Sequence, residues 1–348
     1  MRAGRYLAGS QKAAEAILVQ AEIHARAAAA PRAARAGVIV YPGIFGAAAA
    51  LWWIARYHAA VLPIWAPWDF SFVEFLGAWL AIFWYLRGLA VTPLAELPSP
   101  ARRIAFFAGI IVLYAVLETR YDYLAEHQFF FNRIQHVVMH HVGPFLLALA
   151  WPGDTLSRGM PAWCRRVIEN PVLARIVHVL QQPALAGVLF SGSFFFWLIP
   201  AVHFRAMIDP HLYVLMNWTM IAEGILFWCL VLDPRPAPPA RAGFGTRAAL
   251  AVLVMFPQIV GGAMIAFNPR DLYSFYDLCG RIYPELGALH DQEIGGMIIW
   301  IPPAMMSVLA LLLVLNTMRR IEERRTINAP DQIGATHAAI DASRWTGI

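Results

Sequence analysis

One feature constrains this chain more than any other: a run of about twenty mostly apolar residues, repeated along its length. A helix needs roughly 20 such residues to cross the hydrocarbon core of a bilayer. Runs of this kind fall near 38–57, 70–90, 102–121, 134–152, 184–203, 212–232, 247–267 and 294–316. Lipid offers no water to satisfy exposed backbone, so each run predicts a transmembrane helix. The expected fold is an all-α polytopic bundle of about eight helices. Composition agrees, because 59% hydrophobic and only 14% charged residues give far more apolar surface than a soluble core of this size would use.

Short cytoplasmic loops retain Lys and Arg, so the basic clusters set an orientation. Arg2, Arg5, Lys12, Arg26, Arg32 and Arg35 precede the first run. Further clusters fall on alternate connections: Arg87, Arg102 and Arg103; Arg158, Arg165, Arg166 and Arg175; Arg235, Arg241 and Arg247; and Arg319, Arg320, Arg324 and Arg325. This alternation requires an even helix count with both termini cytoplasmic. The chain accordingly divides into an Ala/Arg-rich cytosolic tail over 1–36, a transmembrane domain over 37–320 and a flexible cytosolic tail over 321–348. Basic charge spread over many connections excludes nucleic acid as the partner. Cys164, Cys229 and Cys279 form no CxxC pair, and no nucleophile with a partnered base, phosphate loop or spaced carboxylate pair points to an enzyme.

The segment from His127 to Pro152 holds four of the eleven histidines. On an α-helix His136 and His140 stack on one face with Cβ atoms about 6 Å apart, a spacing that lets both bind one metal, while His141 points elsewhere. Met139 adds a thioether, and imidazole with thioether suits copper. The topology also brings His58, His127, His203, His211 and His290 to the outer side, which makes His203 and His127 further candidate ligands. The plainer reading of any one of these histidines is a hydrogen bond to backbone or headgroup. Glu223 falls within a helix and needs a proton or a polar partner. Met207, Met216 and Met220 are soft ligands or simply fill gaps. The outer connection from Asn268 to Glu293 gathers Tyr273, Tyr276, Asp277 and Tyr283, which suits either a docking surface or an aromatic belt.

Three blocks resemble the CtaG-type cytochrome c oxidase assembly factors of bacterial membranes. They are QHVVMHHVGPFLLALAWP from Gln135, WLIPA at Trp197 with EGILFWCLVLDP at Glu223, and LHDQEIGGMIIWIP from Leu289. Gln135, Pro144, Pro200, Asp291, Gln292, Gly296, Trp300 and Pro302 carry the matched order. Similarity runs from about Trp65 to Arg320, which makes the first helix an addition to the usual seven. The resemblance implies a non-catalytic factor in the bacterial inner membrane that delivers copper to haem-copper oxidase at the outer face. Its implied partners are oxidase subunits and other copper chaperones. The family tends to have histidine where this chain has Asn132, Leu198 and Asn217, so the resemblance implies either a remodelled site using His140, His203 and His127 or a metal-free scaffold. The competing classes are a haem-binding cytochrome, with His136 or His140 opposite His203, and a transporter, for which no inverted repeat is visible.

Overall fold

A computed structural model describes residues 37–327, and among these residues all regular structure is helical. Helix α1 spans Gly37–Val61, α2 Phe72–Val91 and α3 Pro100–Leu117. A short α4 (Tyr121–His127) leads into α5 (Phe129–Val137), a π-helical turn (Val138–Val142) and α6 (Gly143–Ala150). Short helices α7 (Gly153–Gly159), α8 (Ala162–Ile168) and α9 (Pro171–Leu180) follow, then α10 (Pro183–Leu198), α11 (Pro200–Ile208) and α12 (Pro210–Val231). The rest comprises α13 (Phe244–Leu253), α14 (Met255–Ala266), α15 (Phe275–Cys279) and α16 (Ala288–Ile327).

Six of these units are long and apolar enough to cross a membrane: α1, α2, α3, α12, α13 with α14, and α16. The pair α9 and α10 passes only together and is bent by 76°. The predicted run at 134–152 lies on the broken helix α5–α6, and the run at 184–203 ends early because Pro200 starts a new helix. The tail expected from 321 begins later, since α16 stays helical to Ile327; the tail over 1–36 and residues 328–348 lie outside the described residues.

The starts of the helices are written locally. Ser99–Pro100, Asn170–Pro171 and Asp209–Pro210 each place a capping side chain before a proline, whose missing N–H is harmless at a first helical position. Asp209 Oδ1 accepts from His211 N at 2.8 Å and Leu212 N at 3.3 Å. Helix α12 is the axis of the bundle, with half of its most apolar window buried. It packs on α6 where Gly224 meets the His140 carbonyl, which a Cβ would approach to 2.4 Å. Gly296 does the same for α16 against α14, where a Cβ would sit 2.5 Å from Ala266 N. These contacts bring α5, α12, α14 and α16 together around the segment that carries the paired histidines.

Candidate functional site

The π turn decides the geometry of that segment. Pro144 has no N–H to offer the carbonyl of His140, four residues back, and its ring crowds that oxygen. The helix widens by one residue here: Gly143 N donates to Val138 O, a five-residue bond. Across this turn the ring contacts of the histidines fall into two pairs. His136 faces His203 of α11, their ring centroids 6.5 Å apart. His140 instead meets His141, with Nδ1 atoms 3.2 Å apart. His141 therefore belongs to the cluster, a correction that follows directly from the π geometry.

The outer pair sits among polar neighbours. His203 is buried, with Nε2 2.9 Å from the Tyr276 hydroxyl and Nδ1 3.5 Å from Arg133 Nη2. A guanidinium only donates, so Nδ1 accepts and Nε2 carries the proton that Tyr276 receives. Both nitrogens of His203 thus face protein groups, Nε2 on the Tyr276 hydroxyl and Nδ1 toward Arg133. Tyr273 donates to the Leu198 carbonyl at 2.8 Å, and its ring stacks on Phe129 with centroids 4.0 Å apart. Tyr273 and Tyr276 are buried, so they cover the histidines and cannot serve as the docking surface expected of them; burial also raises both phenols, Tyr273 to about 12. Asp277 and Tyr283 remain exposed, and Asp277 pairs with Arg281 at 2.6 Å.

The inner pair is drier. The His140 ring stacks on Phe190 at 4.0 Å and lies 5.4 Å from Phe194, while His141 Nε2 is 3.0 Å from the Gln258 amide nitrogen. Met139, Met216 and Met220 are fully buried in the adjoining core. The Nε2 atoms of His136 and His140 and the Gln258 carbonyl oxygen meet no partner. His127 is only part-buried, its Nδ1 2.8 Å from the Tyr123 carbonyl and its ring against Tyr123, and it joins neither pair.

The residues of the third sequence block hold this arrangement together. Asp291 accepts from Phe129 N at 3.1 Å and Phe130 N at 2.8 Å, closing the start of α5, and pairs with the nearly buried Arg281. Gln292 accepts from Leu272 N at 2.7 Å and donates to the carbonyls of Ile265, Asn268 and Arg270, pinning the loop that carries Tyr273 and Tyr276. Gln135, next to His136, donates to the Val116 carbonyl at 2.9 Å and to Asp122 at 2.5 Å, and Tyr213 donates to the same Asp122 oxygen at 2.5 Å. Asp122 also lines a cleft of about 380 Å³ with Asp69, Thr119 and Glu126. Burial pushes Asp122 up to about 6 and Glu126 up to about 7.

The sequence profile of the family described as cytochrome c oxidase caa3 assembly factor (Caa3_CtaG) matches residues 77–320. The chain belongs to that family. No curated protein and no solved structure matches it. The Caa3_CtaG match begins inside α2, later than the expected start near Trp65, so α1 lies outside it and both histidine pairs lie within it. Among the described residues no three His, Cys, Asp or Glu side chains converge as a metal site. Arg133 and Gln258, which spacing arguments miss, are the polar partners that separate the two pairs; each is a polar residue within an apolar helical run, and that is the signal that marks them.

Proposed function

We propose that this Caa3_CtaG member is a non-catalytic assembly factor for haem-copper cytochrome c oxidase that handles copper through the inner histidine pair. In this reading it lies in the bacterial inner membrane, crosses it about eight times with both termini cytoplasmic, and meets oxidase subunits and other copper chaperones at its outer face. The observation that carries the copper assignment is the buried Nε2 of His140, which has no partner and borders a core containing Met139. A buried imidazole nitrogen without a partner is costly to the fold, and soft thioether with imidazole suits Cu(I).

The chain of nitrogens behind His140 sets whether it can ligate. With the Gln258 amide nitrogen toward His141, His141 accepts on Nε2 and donates from Nδ1 to His140, so the His140 proton rests on Nε2 and blocks it. Turning the Gln258 amide over reverses every bond: His141 Nε2 donates to the Gln258 oxygen, His140 Nδ1 donates to His141, and His140 Nε2 presents a lone pair. The two amide orientations have the same shape. A copper ion on His140 Nε2 selects the second, so Gln258 and His141 act as positioning residues for the ligand, as outer partners of metal-bound histidines commonly do.

Elemental analysis of detergent-purified wild type and of His140→Ala tests the assignment. Stoichiometric copper in wild type that is lost in His140→Ala is the expected result. Equal copper in both, or none in wild type, would exclude it and leave assembly by protein contact alone.

A further inference from the structure

Arg133 occupies an unusual position. Its side chain is wholly buried on α5, one turn before His136 and beneath the Tyr273–Tyr276 cover. Arginine does not give up its proton in a protein, so the charge is permanent. Nη2 bonds to the Asn132 side-chain oxygen and approaches His203 Nδ1, yet Nε and Nη1 meet no acceptor. Among the described residues no carboxylate pairs with it. Asp291, which closes the same helix, is already held by Arg281 and by the Phe129 and Phe130 amides. The Phe129 ring, 4.9 Å from the guanidinium carbon, offers a weak cation–π contact that does not neutralise a desolvated charge. The surrounding groups, Asn132, His136, His203, Tyr273 and Tyr276, are all neutral when their usual forms are buried.

We propose that Arg133 is the centre of a binding site for a small monoanion of the halide class, held at one of its two idle N–H groups, Nε or Nη1, which point to opposite sides of the guanidinium, between α5, α11, α15 and α16. Water supplies acceptors for the idle N–H groups but no countercharge, whereas one monovalent anion supplies both. A small ion is favoured over phosphate because the side chain is wholly enclosed by protein. The site stands without the copper reading. Where copper is also bound at the inner pair, the same anion offsets the repulsion between Arg133 and that cation.

Bromide is the probe, used on the full chain in detergent. Thermal unfolding is followed in bromide, chloride and gluconate at one ionic strength, for wild type and Arg133→Gln, and anomalous scattering is measured on wild-type crystals grown in bromide. A ligand that binds only the folded state raises the midpoint, by roughly 5 °C at a hundredfold excess over its dissociation constant. The expected result is a saturable halide-specific rise in wild type, no such rise in Arg133→Gln, and an anomalous peak beside the guanidinium. Identical midpoints in halide and gluconate, a rise that persists in Arg133→Gln, or bromide-grown crystals without that peak would each overturn the site. If Arg133→Gln does not fold, the wild-type titration and the anomalous map decide the question.

Discussion

The two histidine pairs on either side of the π turn are built from the same side chain and placed in opposite surroundings. The outer pair, His136 and His203, sits beside a permanent cation and under two tyrosines, with His203 fully hydrogen-bonded. The inner pair, His140 and His141, sits among phenylalanines and ends on a neutral amide whose orientation is free to reverse. A positive neighbour disfavours a cation at the outer pair, whereas no fixed charge stands beside the inner pair. On the two proposals above, identical residues one turn apart would favour different guests, an anion outside and a soft cation inside. What separates them is one extra residue in the helix.

The largest effect that sharpens this contrast is on the outer side. Asp291→Ala leaves Arg281 with only its more exposed partners Asp277 and Asp271 and the start of α5 without its acceptor, a loss of about 2–3 kcal/mol. Thermal unfolding in detergent will show a much lower midpoint, while copper bound per folded molecule stays constant because the inner pair does not touch Asp291. Copper falling in step with the outer damage would mean that the two pairs work as one site. Next in size is Gln258→Leu, which removes the end of the inner relay and lets the His140 proton stay on Nε2. Copper affinity drops roughly 10–100-fold, and ¹⁵N spectra of the imidazoles report the altered tautomer even without metal. An unchanged affinity would show that Gln258 does not position His140.

Much of the fold is legible in the sequence because lipid leaves so few options. Apolar runs of the right length locate the helices, and the Ser–Pro, Asn–Pro and Asp–Pro starts follow from capping alone. The order Asp291, Gln292, Gly296 marks a block that proves to hold α5, the covering loop and the α14 contact in place. The pairing of histidines is not legible. Spacing arguments assume 3.6 residues per turn, and the π turn breaks that assumption at Val138–Val142. Pro144 stands in the sequence only as one residue of the matched order, although its consequence falls on the carbonyl of His140. The tyrosines of the loop read as a surface because their burial depends on Gln292, nineteen positions after Tyr273, and sequence separation of that kind carries no local signal.

The smallest effect lies at the cleft beside the outer pair. Asp122 accepts from Gln135, the neighbour of His136, and from Tyr213, and it faces Asp69 and Glu126 across the cleft. Burial holds it at about 6, above the usual carboxylate range, and Glu126 at about 7. The folded chain thus keeps protons that the unfolded chain has already released. Stability is full below about pH 4 for these groups, falls as pH rises through the interval from about 4 to 7, and stays at the lower level beyond it. Raising a carboxyl pKa by one changes stability by about 1.4 kcal/mol, and solvent in the cleft trims the Asp122 contribution to about 2 kcal/mol. Asp122→Asn keeps an acceptor for Gln135 and Tyr213 but removes the proton, so its unfolding midpoint between pH 5 and 7 will decline less steeply than that of wild type. If the wild-type midpoint is flat or rises over that interval, Asp122 is ionised in the fold, and the outer pair then has a negative neighbour that would weaken its preference for an anion.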